Sequence, residues 1–190
     1  MFDQARGIPM ANALFSRSLH DLSAAAWFGG SLMGAVGVNG AAAAAKDPAE
    51  RTRLSTIGWG KWTPVVVGAF AAHAVGGIGL ILENKGRVVG QTGVGANTLV
   101  KSAVTVAGMG LSLYSGVLGQ KVAKLSDQGA VGATEPHPNA SPELKSAQQQ
   151  LKILQWAIPV VSGTVIVLGA QQGEQQRPTN VAKGLLKKRR

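Results

Sequence analysis

The stretch WTPVVVGAFAAHAVGGIGLIL, residues 62–82, carries no charged side chain, and its polar groups reduce to Thr63 and His73. A helix of a soluble bundle confines its apolar residues to one stripe and turns a polar side to water. This stretch is apolar on every face, and at about 1.5 Å per residue it matches a hydrocarbon core about 30 Å thick. Residues 21–45, uncharged after Asp21, and residues 102–120 and 153–170 share the character. Four such segments in 190 residues leave little chain for a water-soluble domain. They predict an all-α, polytopic membrane protein: a four-helix transmembrane bundle over residues 1–172, followed by a basic tail over 173–190.

A mean hydropathy of only +0.14 averages these spans with polar loops. The spans are rich in Ala, Gly and Val rather than Leu and Phe, so each inserts only moderately well and needs the others. That composition points to a bacterial plasma (inner) membrane. Arg6 and Arg17, the apolar run after them and Ala41 to Ala45 imitate a signal peptide. A signal core is about 7 to 15 residues long, and residues 21–45 exceed it, so the first span is expected to be retained.

Lys and Arg number 19 against 9 Asp and Glu, a net charge of +10. Nucleic-acid binding needs such an excess gathered on one surface. Here it is densest at Lys183, Lys187, Lys188, Arg189 and Arg190, and the rest flanks the spans. The expected contacts are therefore membrane lipids, with Lys187, Lys188, Arg189 and Arg190 at the headgroups, and no nucleic acid. Placing both termini in the cytoplasm puts the larger count of basic residues inside. The absence of cysteine excludes disulfides, thiolate nucleophiles and zinc-finger sites.

Lipid gives helices no hydrophobic reason to associate, so close approach falls to small residues at i, i+4 spacing. Ala26, Gly30 and Gly34 form one such series, Gly68, Ala72 and Gly76 a second, and Gly108, Ser112 and Gly116 a third. Pro64 reads as lying near the start of its helix and Pro159 as interior to the fourth. Trp59 and Trp62 read as interface anchors.

The fourth helix should start before the membrane, because Ser141-Pro142-Glu143 combines an N-cap hydroxyl, a first-turn proline and an acid at the positive dipole end. From there Leu144, Ala147, Leu151 and Leu154 recur at three-four spacing and predict an interaction face outside the bilayer. Its mate is either the stripe Leu118, Val122 and Leu125 extending the third helix or a partner subunit. The turn-rich residues 129–142 join the two extensions.

Ionisable groups inside a membrane are functional candidates, since hydrocarbon penalises them by several kcal/mol. His73 is the one deep in a span, on a small-residue face. It either hydrogen-bonds a neighbouring helix or contacts haem, quinone or an ion. With a first span beginning at residue 21, His20 sits ~16 Å from His73 in depth, too far for both to share one iron. His137, between two prolines, reads as a loop residue. Gly90, Gly93 and Gly95 form a glycine-rich loop with no preceding strand and no following Gly-Lys-Ser/Thr, which is no phosphate cradle.

The run HDLSAAAWFGG at residues 20–30, with His73, resembles the copper-resistance-D-like family of helical membrane proteins, whose spans often begin with a histidine and continue into a Trp-x-Gly pattern. The resemblance implies a four-helix membrane module linked to copper handling. From the residues themselves, abundant packing faces and the lack of a reactive constellation predict a non-enzymatic accessory or assembly subunit among other membrane subunits, with no catalytic residue, metal or cofactor. The alternative is a redox or transport module built on His73, with haem or quinone as its cofactor.

Overall fold

The computed structural model describes residues 9–188. Helix α1 (Pro9–Met33) runs without interruption of the chain into a π-helical turn (Gly34–Val38) and a short α2 (Asn39–Ala43). After a four-residue link comes α3 (Pro48–Glu83), whose start is fixed by the Asp47 side chain accepting the Ala49 N–H at 3.1 Å and by Pro48 at the first position. Next are α4 (Lys85–Gly90) and α5 (Val94–Lys124), separated by Gly93 at φ +87°, a left-handed conformation that suits glycine. A small antiparallel pair follows, β1 (Ala130–Gly132) with β2 (Glu135–Pro136), then α6 (Pro142–Glu174) and α7 (Pro178–Lys188).

Three of these helices, α3, α5 and α6, are long and apolar enough to cross a membrane, the pattern of a multi-pass membrane protein. They are longer than the expected spans because their polar ends continue as helix. α5 begins at Val94 rather than near residue 102, so Lys101 lies two turns inside it, and the glycine-rich loop around Gly90 is partly the helix α4. α3 begins at Pro48, which makes Pro64 interior to its helix rather than near its start. α1 starts well before residue 21, since the chain from Ala11 through His20 continues the helix. Within the expected basic tail, 173–190, residues 178–188 are helical, and the Lys187 and Lys188 side chains together with Arg189 and Arg190 lie outside what is described.

α1 packs along α3 and α6, and α6 along α5, whereas α3 and α5 touch only sparsely. The core runs through Trp27, Phe70, Leu118, Val122, Leu144, Ala147, Leu154, Ile158 and Val165. Trp27 is 1% exposed and meets Phe70 edge-on, with ring centroids 5.0 Å apart. Outside, Val65, Val75, Ile78, Val106, Leu113, Val160 and Val167 are exposed, while Ser23, Ser31, Ser55, Thr52 and Ser162 are buried. Such an inversion of the water-soluble pattern is what hydrocarbon demands.

The small-residue series make fewer backbone contacts than their spacing implies. Gly30 receives the Trp62 indole and Gly34 that of Trp59. The two tryptophans expected at the interface therefore lean on α1. Gly108 takes Trp27, whose Nε1–H donates to Ser112 at 3.1 Å. Only Gly76 brings backbones together: a Cβ there would lie 2.6 Å from the His20 nitrogen and 2.7 Å from the Ser16 oxygen. Ala26 is exposed, and Gly68 and Gly116 have nothing within 4 Å of a built Cβ. The physical reason is that an indole needs a slot, and a single glycine opposite it provides one.

Ser141 caps α6, its Oγ accepting the Leu144 N–H at 3.3 Å. Leu144, Ala147 and Leu154 are buried with Leu118 and Val122, and Leu151 and Leu125 pack against them. The interaction face thus has its mate within the chain. Above it, Arg51 donates to the carbonyls of Ala45 at 2.6 Å and Val131 at 3.0 Å, tying the α2–α3 link to β1.

Candidate functional site

His73 is held on the inner face of α3 by the Gly76 crossing. Because α1 extends back to Pro9, His20 sits within that helix rather than at its edge, and the two imidazoles stack with centroids 4.0 Å apart and an interplanar angle of 32°. The ~16 Å depth difference inferred from a span starting at residue 21 is corrected accordingly. The His73 Nδ1–H donates to the His20 carbonyl at 3.1 Å, and Ser23 Oγ–H donates to the same carbonyl at 2.9 Å. The His20 Nδ1 bonds Asp21 Oδ1 at 2.8 Å. Each ring therefore spends Nδ1 on a structural bond and keeps one lone pair at Nε2.

This geometry tests the cofactor readings. Two axial haem ligands must stand on opposite faces of a macrocycle, and rings stacked 4.0 Å apart leave no space for one between them. Among the described residues no three His, Cys, Asp or Glu side chains converge as a metal site. His137 lies in the 137–141 turn, its Nδ1 accepting the Asn139 N–H at 3.3 Å.

The stacked histidines border a cavity of about 310 Å³ between α3 and α5 at the end of the molecule that carries α4 and α7. Its charged lining is basic: Arg17, Arg87 and Lys101. Lys101 is 8% exposed; its Nζ passes Gly169, where a Cβ would come within 3.3 Å, and donates to Gln172 Oε1 at 3.2 Å. Arg17 donates to Gln176 Oε1 at 2.9 Å, and Arg87 to the Gln175 carbonyl at 3.0 Å. Burial, and then the nearby Arg17 guanidinium, push Arg87 below its ordinary value. Sequence reasoning counted these three as flanking charges. The signal it passed over is the run of glutamines at 171, 172, 175 and 176, of which Gln172 and Gln176 reach Lys101 and Arg17 with their side chains and Gln175 reaches Arg87 with its carbonyl.

A second polar centre, unforeseen, lies at the opposite end. Asn39 Oδ1 accepts Trp59 Nε1–H at 2.8 Å and Ser55 Oγ–H at 3.2 Å, while its Nδ2 donates to Gln155 Oε1 at 2.8 Å. Gln155 goes on to Thr134 Oγ1 at 3.3 Å. The clip borders a larger cavity of about 630 Å³, also on the α3–α5 seam.

No protein-family model, curated protein or solved structure matches the chain.

The bond from His73 to the His20 carbonyl makes a direct expectation. His73→Gln, whose amide can still donate, should melt close to the parent protein in detergent. His73→Leu orphans nothing but removes an interhelical bond, and should cost about 0.6 to 2 kcal/mol. Both variants folding normally while the protein loses its activity in cells would replace the packing role by a ligand role.

Proposed function

We propose that the chain is a four-span, non-enzymatic accessory or assembly subunit of a larger membrane complex, in a bacterial plasma (inner) membrane with both termini cytoplasmic. The observation that carries this is the use of its interior polar groups. Asn39, Trp27, His73 and Ser162 bond to neighbouring helices or to their own backbone, and Ser23 Oγ, which comes within 3.5 Å of His73 Nδ1, gives its proton to the His20 carbonyl at 2.9 Å. Support for α1 as the fourth span comes from its faces: Ser16, His20, Ser23 and Ser31 are buried, whereas Leu14, Phe15, Leu22 and Met33 are exposed. A helix that hides its hydroxyls and shows its leucines suits lipid.

One observation favours a second reading, a transport or redox module in which His73 contacts a quinone or an ion: the histidine pair borders a cavity open to the outside of the bundle. Affinity purification in mild detergent with mass spectrometry separates the two. The subunit reading expects repeated recovery with one large membrane assembly. Recovery alone, with solute flux in proteoliposomes, overturns it. For orientation, an impermeant thiol reagent on intact cells should label Asn139→Cys and miss Thr179→Cys, both exposed positions. The opposite pattern reverses the topology.

A further inference from the structure

We propose that the cavity between α3 and α5 binds an anionic phospholipid, its phosphate held by Lys101 with Arg17 and Arg87 and one acyl chain lying along the α3–α5 seam. The proposal requires the helices to lie in a bilayer and is independent of any partner subunit.

Charge is the first argument. Three cations line the cavity, and each finds only neutral acceptors: Gln172 for Lys101, Gln176 for Arg17, and Gln91, Asn84 and the Gln175 carbonyl for Arg87. The carboxylates at this end are directed elsewhere, Asp21 to His20, Glu83 to the Ser16 hydroxyl and Glu174 to Arg177. Among the described residues none lies within ion-pair distance of the three cations. Lys101 is more than nine-tenths buried and feels the Asp21 carboxylate only at a distance, without a direct ion pair, a costly arrangement in a low-dielectric setting that an anion beside it would relieve. Basic pockets between transmembrane helices on the cytoplasmic side are where anionic headgroups settle.

Shape supplies the second. The same cavity continues past the cations into apolar side chains, Ile78, Ile81, Val106 and Met109. α3 and α5 barely touch, and the other large cavity opens on the same seam near Gly116. From Lys101 to Gly116 along α5 is ~22 Å at 1.5 Å per residue, the length of an extended acyl chain of common size. A free phosphate would fill only the basic end, and a zwitterionic lipid would bring its own cation with its phosphate and no net charge to offset the three.

Native mass spectrometry of the full-length protein tests this, with phosphatidylglycerol or phosphatidylcholine added to delipidated protein in neutral detergent. The expected result is selective retention of phosphatidylglycerol, weakened about tenfold by Lys101→Gln and kept by Lys101→Arg. Lys121→Gln, an exposed cation at the other end, should leave retention unchanged. Ala74→Trp places a ring in the apolar stem without touching a cation, and should reduce lipid retention even though the protein remains folded. Equal retention of the two lipids, equal loss in Lys121→Gln, or full displacement of phosphatidylglycerol by inorganic phosphate with no effect of Ala74→Trp would each overturn the proposal.

Discussion

Gly76→Leu is expected to abolish the folded, monodisperse protein. The residue is buried where α3 crosses α1, and a Cβ would meet backbone, the His20 nitrogen at 2.6 Å and the Ser16 oxygen at 2.7 Å. Backbone cannot rotate away as a side chain can, so the helices must part. Parting them breaks the His73 bond to the His20 carbonyl and separates the stacked rings. Overpacking of this kind costs about 3 kcal/mol or more, a large share of the stability of a small domain. Gly68→Leu, one further glycine on the same helix but facing open space, should stay within about 0.5 kcal/mol of the parent. Equal melting temperatures for the two variants in one detergent would refute the close crossing.

Trp27→Ala is the second large effect. The indole is 1% exposed, meets Phe70 edge-on and occupies the slot left by Gly108, so truncation opens a cavity at the junction of α1, α3 and α5. Loss of such a side chain costs about 3–5 kcal/mol where the surroundings cannot collapse. Trp27→Phe keeps most of the ring and forfeits the bond to Ser112, whose hydroxyl remains satisfied by the Gly108 carbonyl at 2.9 Å. That variant should lose about 1 kcal/mol. Thermal melting followed by circular dichroism ranks them; identical losses would mean that the indole is not a packing anchor.

The long apolar helices α3, α5 and α6 and the start of α6 were legible in the sequence because each depends on local chemistry, such as the uncharged run around His73 and the Ser141 hydroxyl that caps the next turn. The stripe Leu144, Ala147 and Leu154 was legible for the same reason, as periodicity on one helix. What could not be read was where polar ends of helices stop. Arg17, His20 and Lys101 looked like flanking residues, yet backbone bonding carries the helix through them and turns them inward. Depth errors followed, and with them the separation of two histidines that in fact stack. The Asn39 clip was hidden for another reason: Asn39, the turn from Ser55 to Trp59 and Gln155 lie far apart in sequence, and only the tertiary arrangement makes them one group. Glycine spacing was misleading in part because it does not say whether the neighbour is a backbone, as at Gly76, or an indole, as at Gly30 and Gly34.

The π-helical turn at Gly34–Val38 gives the first long helical rod two phases. In an α-helix each residue advances the azimuth by roughly 100°, and a wider turn shifts the phase of everything beyond it. Upstream, Trp27 and Ser31 face inward in one register; downstream, Asn39 and Ala42 do so in another. The rod thus works as a shaft with a coupling in it, whose halves can be tuned separately. Substitutions around His20 can alter the basic end while the Asn39 end keeps its alignment. A one-residue deletion within the coupling would relax the turn to α-helix and keep both registers, whereas a one-residue insertion would swing the whole clip about 100° around the rod.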